Sequence, residues 1–438
     1  MLDFIKNKAA GRRIVILGFG MEGQTSLKFF KDSMLAKQII VIDQNPDISS
    51  NEALGNGDIP FYGGSDYQEQ LNDNDFIIKS PGVKLTGDWK NIKTHSQTSL
   101  FLEKFQNQII GVTGTKGKST TSTMLYRILK EQNNDALLVG NIGQPAFGLI
   151  HQIKPHTLIV YELSAHQLQC ISHGPRYAIL LNLMPEHLDF FAAEEAYYKS
   201  KLNIFQHQGM AAFSYISPSC MKIAEKLAPI HPTPIKSKLT DGKIFINDNK
   251  LITSTDLKYL LGKHHIANIH SLVELVLHLE LSLPKAIESI SQFHPLPHRQ
   301  ELLGEKHGLR FINDSISTIP QSAIQAISAI EKVDYLILGG YDRGIDYSSL
   351  ITFLVTQPIK KIFFLGEAGR RMLKELDEQS SHYNFEYSVH KKLQDIQYEL
   401  LQIRKGTILL SPAAASYDAF KNFEERGNFF REIFSKIS

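Results

Sequence analysis

The residues with the clearest chemical purpose stand together in Gly111-Val-Thr-Gly-Thr-Lys-Gly-Lys-Ser-Thr-Thr121. A short apolar run, Ile109 to Val112, feeds a glycine-rich turn that opens into a helical pattern from Thr120 to Lys130. Such a turn aims backbone N–H groups and the positive end of a helix at one point, which suits an anion. Lys118 would reach the terminal phosphates of a nucleotide, and the hydroxyl of Ser119 or Thr120 would ligate Mg²⁺. Val112 stands where the strict Walker pattern has glycine, so the segment is a variant of it. The plainer alternative is a surface turn before a helix. A lysine followed by three hydroxyl residues directly after the last glycine favours ATP.

Further polar groups fall at the ends of apolar runs. Glu162 closes Thr157-Leu-Ile-Val-Tyr-Glu162, one strand beyond the phosphate loop, where a carboxylate can share Mg²⁺ with Ser119. His187 and Asp189 follow the run Ala178 to Leu181. A histidine among oxygen ligands suggests a second metal position that accepts Mg²⁺ or Mn²⁺; standing alone, it would read as a loop histidine. Lys201 in Lys199-Ser-Lys201 reads by itself as an ordinary helix lysine. Asn268, just after the pair His264-His265, opens a helix from about Ile266 to Leu279, and the imidazoles could meet a nucleotide base. Arg299 follows the Pro-rich stretch at Pro295 and could reach phosphate, and Asp314 ends the strand after it. Gly339-Gly-Tyr-Asp-Arg343 and Ser411-Pro-Ala-Ala-Ala-Ser416 end later strands and could bind a second substrate.

The elements that must position these groups alternate strand and helix. Ile14 to Leu17 reads as a buried strand, followed by Gly18, Gly20 and Gly23 in G-x-G-x-x-G spacing, a helix from Gln24 to Lys31, and a strand ending at Asp43. That is a Rossmann-like opening, with Asp43 placed for a ribose or base contact. Another strand ends in Ser80-Pro-Gly82. Repeated strands with polar tips predict a parallel sheet with helices on both faces. The fold class is therefore α/β in three domains: a Rossmann-like domain over 1–97, a central P-loop-type ATPase domain over 98–298, and a Rossmann-like C-terminal domain over 299–438.

A chain of 438 residues with 42% hydrophobic and 21% charged residues fits two or three globular domains. A net charge of +2 without dense basic runs gives no support to nucleic-acid binding. Cys170 and Cys220 form no metal or redox motif and suit a reducing compartment. No run is long enough to span a bilayer. A cytoplasmic enzyme is the expectation.

In sequence order the chain carries Gly18-Phe-Gly-Met-Glu-Gly23, Ser80-Pro-Gly82, Gly114 through Thr120, Gly140-Asn-Ile-Gly143, Glu162-Leu-Ser-Ala-His-Gln-Leu168, Glu186-His-Leu-Asp189, Leu296-Pro-His-Arg299, Asn313-Asp-Ser315 and Ser411 through Asn428. By these segments it resembles the Mur ligases of peptidoglycan synthesis, nearly end to end. The activity this resemblance implies is addition of D-glutamate to UDP-N-acetylmuramoyl-L-alanine (UDP-MurNAc-L-Ala).

The resemblance implies an ATP-dependent ligase, a monomer working through an acyl phosphate with two Mg²⁺ ions. It implies ATP contacts at Gly114, Thr115, Lys116, Gly117, Lys118, Ser119, Thr120, Asn268, Arg299 and Asp314. Gly18, Gly20, Gly23, Asp43, Gln44, Ser80, Asn141 and Gln167 would hold the UDP-sugar, with His187 on the same path. Thr318, Arg343, Ser416, Tyr417 and Phe423 would hold glutamate. Ser119, Glu162, His187 and Lys201 would serve the metals, Lys201 as a carbamate formed with CO₂. Lys118, His187 and Lys201 would be the catalytic set.

Four positions depart from the family pattern. Ile316 replaces a lysine near the reaction centre, Arg343 replaces another, and His265 replaces an asparagine. Glu22 stands near the expected diphosphate and is expected to point to solvent. The changed cations leave room for an L-glutamate-adding variant. Other classes considered are a catalytically silent binding protein of the same type and, from the first glycine motif alone, a dehydrogenase.

Overall fold

The computed structural model describes residues 1–9, 11–33, 38–55, 57–140, 144–186, 188–209, 212–257, 259–260, 264–379 and 383–437. The architecture is α/β, as the alternating apolar runs predict. The first sheet contains β1 (Ile14–Leu17), β2 (Ile39–Asp43), β3 (Phe61–Gly63), β4 (Phe76–Lys79) and β5 (Thr94–His95), all parallel, in the order β3-β2-β1-β4-β5. Every residue of β1 is buried because both faces are covered. Ile14 and Ile16 pack with Phe30 and Leu27 of the helix Met21–Asp32, while Val15 and Leu17 pack with Ile40, Ile42 and Ile77. The strand order reverses at β1 and β4. Gly18 and Ser80 follow these strands, so both lie at the switch point where open α/β sheets bind ligands.

The second sheet contains β6 (Ile109–Thr113), β7 (Ala136–Gly140), β8 (Leu158–Glu162), β9 (Tyr177–Leu180) and β10 (Phe213–Ile216), all parallel, in the order β10-β9-β6-β8-β7. β6 lies between β8 and β9, so the loop after it is flanked by the ends of both. A small sheet, β11 (Lys238–Thr240), β12 (Lys243–Ile246) and β13 (Asn249–Thr253), follows in sequence.

The last sheet contains β14 (Glu301–Lys306), β15 (Leu309–Asn313), β16 (Tyr335–Gly339), β17 (Lys361–Leu365), β18 (Glu386–His390) and β19 (Gly406–Leu410), in the order β14-β15-β19-β16-β17-β18. Only its edge strand β14 is antiparallel to its neighbour.

The chain forms two compact units. One comprises Met1–Thr240, Ile244–Lys250 and Ala267–Ser289; the other comprises Asp241–Lys243, Leu251–Ile266 and Ile290–Ser438. The first holds both five-stranded sheets and the second holds the six-stranded sheet. Among the described residues no helix is long and apolar enough to cross a membrane.

Candidate functional site

In the first unit, β6 ends in a loop whose backbone is fixed on both sides. Gly114 has φ +154° and Gly117 has φ +84°, and Gly117 caps the helix Lys118–Glu131. A side chain at Gly117 would be strained, and its Cβ would lie 2.3 Å from the Asn268 amide nitrogen. Asn268, in the helix His264–His278, therefore lies directly against the loop.

Asn182, just beyond β9, accepts from Lys116 N–H at 2.8 Å through Oδ1 and donates to Lys116 O at 2.9 Å, and its carbonyl accepts from Thr115 N–H at 3.0 Å. Thr115 Oγ1 accepts from Met184 N–H at 3.0 Å. Lys116 pairs with Glu186. The loop is thus preorganised, and ordering entropy need not be lost when an anion arrives.

Four polar side chains meet behind this loop. Lys118 Nζ donates to Gly114 O and Thr115 O, both at 3.0 Å. Lys201 Nζ, on the helix Glu194–Leu202, donates to the same Gly114 O at 2.8 Å and lies over the Tyr197 ring. Ser119 Oγ donates to Glu162 Oε1 at 3.2 Å at the end of β8. Lys201 is 1% exposed, and burial, followed by the nearby Lys118 charge, holds its amine well below the ordinary lysine range. Sequence alone reads Lys201 as a solvated lysine; its burial is a consequence of packing against Tyr197 and the loop. The Ser119 and Glu162 oxygens are buried donors of the kind a hard divalent ion takes. His187 lies outside the described residues.

The glycine turn after β1 forms a second constellation in the same unit. Gly18 has φ +89°, and its carbonyl accepts from Ser80 Oγ at 2.8 Å. A Cβ at Gly23 would lie 2.2 Å from Gly18 O, so only glycine allows the helix to start here. Gly23 lies inside the helix Met21–Asp32, which begins three residues earlier than its sequence pattern suggests. Asp43 accepts from Phe19 N–H at 2.7 Å and from Asn45 N–H at 2.8 Å, so it braces the turn. Gly20 and Gln44 are exposed.

Glu22 does not point to solvent, contrary to expectation. Its Oε1 accepts from Gln167 Nε2 at 2.8 Å, and Gln167 Oε1 in turn accepts from Ser164 N–H at 2.9 Å. Packing against the second sheet draws the side chain inward. Asn141 lies outside the described residues.

In the second unit, Asp314 is buried at the end of β15. It accepts from Gln300 N–H at 3.0 Å and from Ser411 Oγ at 2.7 Å, and burial pushes its carboxyl up to about 6. Arg299 is exposed between His298 and Gln300, which have φ +63° and +46°. Arg343 donates to Thr318 O at 2.6 Å, which joins two of the expected glutamate residues. Ser416 is buried, and Tyr417 is exposed with its ring packed edge-on to Tyr341.

Phe423 begins the helix Phe423–Ser435, and its carbonyl accepts from Ser315 Oγ at 2.8 Å. Arg426 in that helix is fully buried and was not singled out by its residue type. Its guanidinium donates to Ser315 O, Ser315 Oγ, Ala414 O and Ala415 O, tying the loops after β15 and β19 together. An arginine in the first turns of a helix, where a cation is disfavoured, was the available signal.

Residues 12–96 match the family described as Mur ligase MurD-like, N-terminal domain, and residues 112–272 match the Mur ligase middle domain. The chain is 31% identical to the UDP-N-acetylmuramoylalanine--D-glutamate ligase of Elusimicrobium minutum, over 99% of this chain and 100% of that protein. It is 29% identical to the enzyme of the same name from Alkaliphilus oremlandii, over 97% and 98%. Among solved structures, the fold resembles MurF ligase from Thermotoga maritima in complex with ADP, with a TM-score of 0.55 and 17% identity over 99% of this chain and 97% of that one. It also resembles the UDP-N-acetylmuramate-alanine ligase MurC of Thermotoga maritima, with a TM-score of 0.56 and 16% identity over 97% and 100%.

Proposed function

The chain belongs to the Mur ligase family as a MurD-type, ATP-dependent ligase of peptidoglycan synthesis, and we propose that it joins D-glutamate to UDP-MurNAc-L-Ala. The observation that carries this reading is the cluster at Gly114, where Lys118, Lys201, Ser119 and Glu162 converge on one preorganised loop. Residues 1–97 would take the UDP-sugar, 98–298 ATP, and 299–438 glutamate.

In the first step an oxygen of the alanine carboxylate attacks the γ-phosphorus of ATP and ADP leaves, giving an acyl phosphate. In the second the neutral amine of glutamate attacks the acyl carbon, loses a proton, and inorganic phosphate departs. Lys118, now bound to Gly114 O and Thr115 O, would turn its charge to the transferring phosphoryl group. Backbone N–H groups at the start of the helix Lys118–Glu131 would cradle the other phosphates. Ser119 and Glu162 would hold one Mg²⁺, and His187 with Lys201 a second; the ions supply charge neutralisation when bound.

The neutral amine favoured at Lys201 is the form that attacks CO₂. The N–C bond forms as the nitrogen loses a proton, and the resulting carbamate would replace the amine by an anionic oxygen donor. Asn268 would meet the nucleotide beside Gly117, and the resemblance also assigns Arg299 and Asp314 to ATP. Gly18, Gly20, Gly23, Asp43, Gln44, Ser80, Asn141 and Gln167 would serve the UDP-sugar.

Thr318, Arg343, Ser416, Tyr417 and Phe423 would serve glutamate. Arg343 is anchored to Thr318 O, and its planar fork matches a carboxylate. Arg343→Lys should raise the glutamate KM by about tenfold, with the KM values for ATP and the UDP-sugar unchanged. An unchanged glutamate KM would move the glutamate site elsewhere.

Ile316, in place of a family lysine, favours one second reading, addition of L-glutamate. Ligation assays with UDP-MurNAc-L-Ala, ATP and each glutamate enantiomer decide between them. Product with D-glutamate alone supports the first reading, and product with L-glutamate alone replaces it. ATP turnover indifferent to the UDP-sugar would overturn both.

A further inference from the structure

The loop after β16 carries Arg343, and a side chain from outside the loop holds it on both sides of that residue. Arg371 belongs to the helix Gly366–Gln379, which follows the neighbouring parallel strand β17. Its Nε donates to Asp342 Oδ2 at 2.7 Å and its Nη2 to Asp342 Oδ1 at 2.8 Å, a two-pronged pair. The same Nη2 donates to Ile345 O at 2.6 Å. Asp342 precedes Arg343 and Ile345 follows it with only Gly344 between, so one guanidinium clamps the loop on either side of Arg343. Nη1 donates to Glu375 Oε1 at 3.0 Å, and the guanidinium lies 4.5 Å from the centre of the buried Tyr347 ring. All of these groups belong to the second unit.

The ends of the loop are fixed separately. Tyr341 N–H donates to Ala415 O at 2.9 Å before it, and Ser348 N–H donates to Asp346 Oδ1 at 2.9 Å after it. Gly344 has φ +71°, and its N–H donates to Asp342 Oδ1 at 2.9 Å. Asp342 thus commits both carboxylate oxygens inside the protein, to Arg371 and to its own loop. Arg343 is exposed, and its donation to Thr318 O leaves other guanidinium N–H groups to a carboxylate. A lysine in place of Arg371 could not hold Asp342 and Ile345 together, because a point charge lacks the fork.

Resting on the reading that Arg343 holds a glutamate carboxylate, we infer that Arg371 is a positioning and specificity residue for that substrate. Its fork on Asp342 and its bond to Ile345 fix where the Arg343 guanidinium stands. A diacid is measured by the distance between the places that receive its two carboxylates, and the clamp holds one of those places still. Arg371 itself is committed to protein groups and acts through Arg343. Aspartate and 2-aminoadipate, one methylene shorter and longer, bring a carboxylate out of register with a fixed fork. With the clamp released, Arg343 can follow a carboxylate of either length. Affinity for glutamate and discrimination between lengths then fall together.

The experiment is steady-state ligation by the full chain with UDP-MurNAc-L-Ala, ATP and the glutamate enantiomer it uses. The proteins are wild type, Arg371→Gln, Arg371→Lys, Asp342→Asn, Arg343→Ala and the double variant Arg343→Ala/Arg371→Gln. Arg371→Gln should raise the glutamate KM by about tenfold, with the ATP and UDP-sugar KM values within about twofold of wild type. Its preference for glutamate over aspartate and 2-aminoadipate of the same hand, read as kcat/KM, should fall by about fivefold or more. Arg371→Lys should fall between wild type and Arg371→Gln on both readouts. In the Arg343→Ala background, Arg371→Gln should change the glutamate KM by less than about twofold, since the group it positions is gone.

If Arg371→Gln does not fold, Asp342→Asn carries the same comparisons, because it weakens the fork and leaves Arg371 its bonds to Ile345 O and Glu375. An equal rise in glutamate KM in both backgrounds, or an ATP KM that rises alongside it, makes Arg371 a packing residue and overturns the inference. A raised glutamate KM in Arg343→Ala beside unchanged KM and length preference in Arg371→Gln overturns it while leaving the glutamate reading intact. An unchanged glutamate KM in Arg343→Ala overturns that reading and the role of Arg371 with it.

Discussion

After β1 the chain turns through Gly18-Phe-Gly20 into the helix Met21–Asp32; after β6 it turns through Gly114-Thr-Lys-Gly117 into the helix Lys118–Glu131. Both turns leave a central strand of a parallel five-stranded sheet, and both aim a helix N-terminus at the carboxyl edge. The first is braced by Asp43 and Ser80 and carries the acid Glu22 in its opening helical turn. The second is braced by Asn182 and carries Lys118, with Lys201 behind it. One turn therefore presents backbone donors beside a buried acid, and the other presents cations beside buried hydroxyl and carboxylate oxygens. On the proposed assignments the same topology would serve binding in one place and phosphoryl transfer in the other, with the side chains of the first helical turn deciding which.

The sharpest way to break this division is Lys118→Ala. Its charge has no counterpart in the first turn, and turnover should fall by about 10³-fold or more. UDP-sugar affinity, measured by calorimetry, should stay within about twofold because that ligand is assigned to the other turn. Wild-type turnover in a folded Lys118→Ala protein would refute the catalytic half of the comparison.

Lys201→Ala should lower turnover by about 10²-fold, with partial recovery on adding short carboxylic acids that replace the carbamate. An unmodified lysine at this place would offer a metal no oxygen donor. High activity without added acid would leave Lys201 a packing residue.

The two turns differ equally in what the sequence made legible. Glycine spacing, the lysine and the hydroxyls marked the second turn, since these residues act through their own backbone and immediate neighbours, although its helix begins at Lys118 rather than Thr120. The strands were legible for the same reason: continuous apolar runs such as Ile14–Leu17 are buried on both faces. What remained hidden depends on contacts between distant segments. Gln167 is 145 residues from Glu22, and nothing local to Glu22 announces that it turns inward. Arg426 is hidden likewise, because its partners Ser315, Ala414 and Ala415 come from two other loops. The burial of Lys201 also comes from such packing, against Tyr197 and Gly114.

Gly23→Ala and Gly117→Ala test the turns as structures. At Gly23 a Cβ would meet the fixed backbone oxygen of Gly18 at 2.2 Å, so the helix must shift, at a cost of about 2–4 kcal/mol. At Gly117 the obstacle is the end of the Asn268 side chain, which can swing aside, and the strain of φ +84° should cost only about 1 kcal/mol. Denaturant unfolding of the two variants should show that order. A reversed order would mean that the Asn268 contact, rather than the Gly18–Gly23 approach, is the rigid one.

Gly20→Ala carries the smallest expected effect and the finest discrimination. Gly20 caps its helix with φ −69° and ψ −164°, an extended conformation open to any residue, and no atom lies within 4 Å of an added Cβ. Replacing a glycine cap with alanine should change stability by no more than about 1 kcal/mol. Gly20 is also exposed at the mouth of the first turn, where a diphosphate would approach the backbone. A methyl group there should weaken UDP-MurNAc-L-Ala binding by about three- to tenfold through lost close approach, with the ATP KM unchanged. Unaltered UDP-sugar affinity would place the diphosphate away from Gly20, and the likeness between the two turns would then extend to their fold but not to their use as anion sites.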